Sequence, residues 1–127
     1  MTGVVVGAAI VRGARLLAAQ RAGPPDVAGR WEIPGGKVEP GEGEQGALIR
    51  ECEEELGVRV AVGERIGGDW PTGRGYVMRV FLASIVSGDP VPKEHLALRW
   101  LTADQLFDVP WLSADVPVVR MVYDRLG

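Results

Sequence analysis

One helical stretch is set into a chain that otherwise reads as strands and turns. From Glu44 to Leu56 the apolar residues Leu48, Cys52 and Leu56 recur every fourth position, with Ile49 beside them, so an α-helix collects them into one stripe. Gly57 stands where a left-handed C-terminal cap belongs, and Pro40-Gly41 turns the chain before the helix. Ahead of it, Val4–Val11 reads as a buried strand, Arg12-Gly13-Ala14-Arg15 as a turn and Leu16–Gln20 as the second arm of a hairpin. Ala22–Gly29, with Gly23, Pro24, Pro25 and Gly29, is a loop. Trp31-Glu32-Ile33 is a short strand stopped by the tight turn Pro34-Gly35-Gly36-Lys37. Behind the helix, Val58–Arg65 and Tyr76–Val86 are strands joined by a Gly67–Gly75 loop, and Leu98–Leu101 is the last strand. Thr102 with Gln105 makes a capping box for a short helix. Asp115 caps a final helix, with Pro117 in its first turn and Val118, Met121, Val122 and Leu126 facing inward. Strands and helices interleaved in this way predict a mixed α/β sandwich.

At 127 residues the chain is one domain, 1–127. With 46% hydrophobic and 24% charged residues it has the makings of a core, which excludes disorder as its main state. Its 14 Lys+Arg stand against 17 Asp+Glu, so no broad basic surface is available and nucleic acid is not an expected partner. Cys52 and His95 each stand alone, which excludes an intrachain disulfide and a Cys- or His-rich metal site. The apolar start, Met1–Ile10, follows no basic residue and breaks at Arg12, too short for a membrane helix. The expectation is a chain with no membrane partner, in a reducing compartment, the cytoplasm.

The chemistry concentrates on the helix. Glu51, Glu54 and Glu55 lie at i, i+3 and i+4 and share one face, beside the apolar stripe and so at the rim of the core. Like charges at that spacing repel by about 0.2–0.5 kcal/mol per pair, and three converging carboxylates call for a counter-charge. An all-oxygen set suits Mg²⁺ or Mn²⁺ rather than zinc or copper. A Glu-rich helix by itself is more often a solvated acidic face. The preceding segment reverses that weighting: Gly35-Gly36 lets backbone come close to a ligand, and Lys37 supplies a cation for a phosphate oxygen. Gly41, Gly43 and Gly46 also spell G-x-G-x-x-G, but Glu42 and Glu44 within it repel phosphate and a Pro-Gly turn rather than a strand precedes it, so no dinucleotide site is expected there.

Gly36, Glu42, Arg50-Glu51, Glu54-Glu55 and Gly57-Val58 resemble the Nudix box, G-x5-E-x7-R-E-U-x-E-E-x-G-U with U apolar. Every fixed position is filled, and Cys52 takes the first U as a small hydrophobe. The flanks Gln20-Arg21, Trp31 through Lys37, Glu94-His95 ahead of Trp100, and Ala114 through Pro117 are similar to MutT-like members. The resemblance implies a Nudix α/β/α sandwich with a mixed central sheet, and water attack on phosphorus in a nucleoside diphosphate linked to a group X. It implies that Gly36, through its carbonyl, and Glu51, Glu54 and Glu55 hold Mg²⁺. Glu51 or Glu54 deprotonates the attacking water, Glu42 supports the cluster, and Arg50 orients the glutamates bidentately. Arg21 and Lys37 hold phosphate oxygens.

Asp115 carries the reading of the base. As a cap it is ordinary; as a base contact it accepts only, and cytosine offers an amine donor, whereas MutT-like enzymes that prefer oxidised guanine resemble one another in an asparagine there. The segment around Asp115 is similar to that of CTP pyrophosphohydrolases of the family. Met78 and Val80 are candidates for the wall of the base pocket, with core packing the commoner role. Glu94 is a candidate further metal contact, weighed against a solvated Glu94-His95 loop pair, and Trp31 and Trp100 read as core. The expected activity is Mg²⁺-dependent hydrolysis of CTP, dCTP or 5-methyl-dCTP to the monophosphate and pyrophosphate. Alternatives are 8-oxo-dGTP or another nucleoside diphosphate-X substrate, or a non-catalytic nucleotide- or protein-binding module. The small-molecule nucleotide is the expected partner, and monomer and homodimer both remain open.

Overall fold

The computed structural model describes residues 3–126; Met1, Thr2 and Gly127, the ends of the expected domain, lie outside the described residues. Their order is β1 (Gly3–Arg12), β2 (Arg15–Arg21), β3 (Trp31–Glu32), β4 (Gly35–Lys37), α1 (Glu44–Leu56), β5 (Arg59–Pro71), β6 (Tyr76–Ser87), β7 (His95–Leu101) and α2 (Val116–Leu126). Short 3-10 turns at Ala103–Gln105 and Ser113–Asp115 lie between β7 and α2.

The strands form a mixed sheet with the path β3-β2-β1-β6-β5, while β4 pairs with β1 and β7 with β2. The β1–β6 pair is parallel, from Gly3 opposite Tyr76 to Ile10 opposite Ala83. Such a pair needs a long crossover, and α1 lies within that connection. The two-residue period of β1 then sorts its side chains. Val6, Ala8 and Ile10 face one way and pack with Leu48, Cys52 and Leu56 of α1. Ala9, with Val5 and Val11, faces the other way and packs with Val118, Val119, Val122 and Leu126 of α2. A helix on each face makes the sandwich. The stripe Leu48, Cys52 and Leu56 is fully buried as its period predicts, and Gly57 closes α1 in the left-handed conformation at φ 70°.

Four local expectations are corrected. The Gly67–Gly75 segment is not a loop throughout: β5 continues to Pro71, because Trp70 and Pro71 pair with Met78 and Val77 across irregularities in the ladder, and Gly67 absorbs a positive φ there. Gly35–Lys37 is not only a turn; it is β4, laid antiparallel on β1 with Gly35 opposite Gly7. β7 begins at His95 rather than Leu98, since Ala97 and His95 pair with Gln20 and Arg21 of β2. In α2 the inward residues are Val118, Val119, Val122 and Leu126, while Met121 is exposed, so the helix is rotated by one position from the expected stripe.

Candidate active site

Arg50 organises the helix face. Its Nε and Nη2 donate to the two oxygens of Glu42 at 2.7 and 2.9 Å, a bidentate pair. Its Nη1 donates to Glu51 at 2.9 Å and to Glu54 at 3.2 Å, and Nη2 also donates to the Lys37 carbonyl at 3.1 Å. One guanidinium therefore joins α1, the turn before it and β4. The Glu42 carboxyl is held down at about 2 by its hydrogen bonds from Arg50 and from the Glu39 N–H, and the Arg50 guanidinium is held charged.

β4 brings backbone against these carboxylates. A Cβ on Gly36 would stand 2.4 Å from Glu51 Cδ, so only glycine lets the strand lie on that side chain. Glu55 is buried, and its Oε2 accepts the Gly35 N–H at 3.1 Å. Burial pushes Glu55 up to about 8, with the charges of Glu32, Glu51 and Glu94 adding to the effect. Burial also raises Glu51, against the opposing pull of Arg50. Glu54 is the most exposed of the three, its side chain 54% accessible. The set is thus oxygen-rich, partly desolvated and short of positive charge at Glu55, which fits a hard divalent cation. A second grouping escaped the sequence reading: Glu32, Glu55 and His95 bring one ligand atom each within 4.8 Å of one another, a geometry able to hold an ion. Their separation in sequence hides it; the strand pairing of β3, β2 and β7 creates it.

A cleft of about 580 Å³ opens beside this face. Arg21, Lys37, Met78 and Asp115 all line it, together with Gly35, Gly36 and Glu32. Lys37 Nζ stands 5.0 Å from the centre of the Tyr76 ring. Arg21 donates to Glu32 Oε1 at 2.9 Å and to the Gly23 carbonyl at 2.9 Å. Asp115 differs from a helix cap: its Oδ2 accepts the Ile33 N–H at 2.8 Å, tying the 3-10 turn before α2 to the end of β3. Burial lifts the Asp115 carboxyl to about 7; Glu32 adds to the rise, and the Ile33 N–H and Arg21 oppose it. Met78 is both core and wall, being buried and lining the cleft. Val80 belongs to the core, fully buried and outside the lining. Trp31 is buried as expected, whereas Trp100 is only half-buried under the Arg12 guanidinium. Glu94 is exposed, but His95 is not its solvated companion: the His95 side chain is 4% accessible.

Comparison with known proteins shows the family. The NUDIX domain family matches residues 1–122. A putative 8-oxo-dGTP diphosphatase 2 of Mycobacterium tuberculosis is 49% identical over 115 residues, spanning 88% of this chain and 82% of that protein. The CTP pyrophosphohydrolase of Escherichia coli is 37% identical over 118 residues, spanning 91% of this chain and 87% of that protein. The crystal structure of a MutT NUDIX hydrolase from Burkholderia pseudomallei superposes with a TM-score of 0.83 at 34% identity, over 96% of this chain and 98% of that one. The chain therefore belongs to the Nudix family, and it is a hydrolase acting on nucleotides.

Proposed function

We propose that this enzyme hydrolyses a nucleoside triphosphate to the monophosphate and pyrophosphate with Mg²⁺, which Mn²⁺ can replace, and that a cytosine nucleotide (CTP, dCTP or 5-methyl-dCTP) is its preferred substrate. The observation that carries the reading is a single cleft lined by the cations of Arg21 and Lys37, by Asp115, and by the Gly35-Gly36 backbone against which Glu55 and Glu51 lie. Phosphate oxygens need the cations, and a base amine needs the carboxylate.

In this reading Gly36, Glu51, Glu54 and Glu55 hold the metal, which when bound offsets phosphate charge and acidifies water. Arg21 and Lys37 hold the phosphate oxygens. Arg50 keeps Glu51 and Glu54 aimed while Glu42 anchors it. Glu54, exposed and on the longest of the Arg50 bonds, is the better placed of the two candidate bases, Glu51 and Glu54, to take the water proton. The water oxygen bonds to phosphorus, the bridging P–O bond breaks, and pyrophosphate leaves. Asp115 spends one oxygen on Ile33 and has the other to accept from a cytosine amine.

A second reading, 8-oxo-dGTP, has an observation of its own. Burial lifts Asp115 to about 7, and a neutral carboxyl both donates and accepts, as an asparagine does; the Mycobacterium relative carries that substrate in its name. Either substrate fits nucleotide pool sanitation, and the cytosine nucleotides also fit pyrimidine turnover, in the cytoplasm and by a monomer or homodimer. Among the described residues no helix is long and apolar enough to cross a membrane. The test is a panel of CTP, dCTP, 5-methyl-dCTP, 8-oxo-dGTP and ADP-ribose at fixed Mg²⁺, read by pyrophosphate yield. The cytosine nucleotides should lead with the wild type, and Glu54→Gln should stay folded and lose turnover. An 8-oxo-dGTP lead favours the second reading, and nucleotide binding without turnover in either protein makes the chain a binding module.

A further inference from the structure

The sheet assembles a polar chain that the Nudix box does not contain. Glu32 of β3 lies opposite Ala19 of β2, two residues before Arg21, so Glu32 and Arg21 project on the same side. On the other edge of β2, the ladder to β7 runs from Gln20 opposite Ala97 to Arg21 opposite His95, skipping Leu96. A regular ladder would set the apolar Leu96 against Arg21. The bulge sets His95 there instead and leaves Leu96 exposed. His95 Nε2 then lies 2.9 Å from Glu32 Oε2, and Arg21 Nη1 donates to Glu32 Oε1 at 2.9 Å. Glu55 Oε1 stands 3.9 Å from the same His95 nitrogen. The neighbour within hydrogen-bond distance of Nε2 is the Glu32 carboxylate, an acceptor, so Nε2 carries the hydrogen. Among the described residues the buried Nδ1 has no hydrogen-bond partner, so the ring is held in place by Nε2 and by packing.

We propose that His95 is a positioning residue for substrate binding: by donating to Glu32 it fixes the carboxylate that orients the Arg21 guanidinium in the cleft. Glu32 has two oxygens and uses one for each partner. Without the His95 donor its carboxylate is free to rotate, and the fork geometry that Arg21 needs to meet a phosphate is lost. The proposal deepens the proposed function, because it rests on Arg21 holding substrate phosphate. His95 touches no reacting atom in this account, so its effect falls on KM rather than kcat.

Two variants separate the donor from the ring. His95→Phe keeps an aromatic ring without a donor; His95→Gln keeps an N–H donor without the ring. H95F should raise KM for the triphosphate on the order of tenfold, the scale of a lost hydrogen bond to a charged group, with kcat within about twofold. H95Q should keep KM near the wild-type value. In an Arg21→Ala background H95F should add little, since the residue through which it acts is gone. The Arg21 Nη1–H resonance, from the group that donates to Glu32, gives a readout free of turnover: slow to exchange in wild type and H95Q, fast in H95F. An unchanged Arg21 resonance in H95F, or equal KM effects of H95F with and without Arg21, overturns the proposal. Should H95F not fold, H95Q decides, and a released Arg21 signal there overturns it. If the wild type hydrolyses no triphosphate, the proposed function fails, and the Arg21 resonance still settles the role of His95.

Discussion

Gly35 and Gly36 are adjacent, and replacing each by alanine should fail in a different way. A Cβ on Gly36 meets the Glu51 carboxyl group, with Cδ at 2.4 Å and both oxygens at 2.6 Å. Ordinary contact begins at 3.4 Å, so the carboxylate must retreat by roughly 1 Å. That retreat takes it out of hydrogen-bond reach of Arg50, now at 2.9 Å. The obstacle is the tip of a flexible side chain, so the fold should survive with stability changed by about 1 kcal/mol or less. Turnover should not: a displacement of that size in a reacting group costs about 10²-fold. A Cβ on Gly35 meets backbone instead, 1.9 Å from the Val6 carbonyl oxygen and 2.9 Å from Gly7 Cα. The β1–β4 ladder, Val6 opposite Gly36 and Gly7 opposite Gly35, must open to admit it. Overpacking against backbone should cost about 3 kcal/mol, a fall in Tm of roughly 10 °C. The assay pairs thermal melts with initial rates of pyrophosphate release. Wild-type turnover by G36A, or a G36A melt as depressed as that of G35A, would refute the placement of Glu51 against β4.

Two further outcomes follow from buried groups. Asp115 titrates near 7 in the fold, against an ordinary value of 3.8, chiefly through burial. The native state therefore holds a proton that the unfolded chain releases between those values; the resulting stability is present below about pH 4 and is lost as pH rises toward 7. Asp115→Asn should remove a loss on the order of 4 kcal/mol across that window, measured as the difference in urea stability between the two proteins at pH 4.5 and 7.5. Glu55 slopes the same way in both and cancels, so parallel pH profiles would contradict the burial argument. Cys52 is fully buried, and burial with the nearby charges of Glu55, Glu51 and Glu53 pushes its thiol up to about 12. Iodoacetamide at pH 8 should leave it unlabelled until urea is added, and rapid labelling of the native protein would show that the α1 stripe is not packed.

The residues that a local pattern places were legible in the sequence. Leu48, Cys52 and Leu56 needed only the helical period, and Gly57 needed only its place after the last apolar residue. The company of Arg50 with Glu42, Glu51 and Glu54 was implied by the resemblance to the Nudix box, and the ion pairs of the turn and helix match it. What failed depended on strand pairing. Trp70 joins β5 because Met78 lies opposite it, although Gly67-Gly68 read locally as a loop. His95 is buried because a bulge faces it to Arg21, and nothing within Glu94-His95-Leu96 signals that. Asp115 read as a cap because its partner, the Ile33 N–H, lies 82 positions away in the chain. Met121 was misplaced by one position because α2 has apolar residues at Val118, Val119, Met121 and Val122, and its packing against the sheet, rather than its sequence, chooses among them.

Electron paramagnetic resonance of Mn²⁺ reads the carboxylate cluster itself. With a non-hydrolysable nucleoside triphosphate present, the wild type should quench the free Mn²⁺ signal. Glu51→Gln and Glu55→Gln should each weaken that binding by on the order of tenfold or more while still melting cooperatively as folded proteins. If both variants bind Mn²⁺ and nucleotide as the wild type does, the helix-borne carboxylates do not gather the ion, and the assignment of chemistry to this face is wrong.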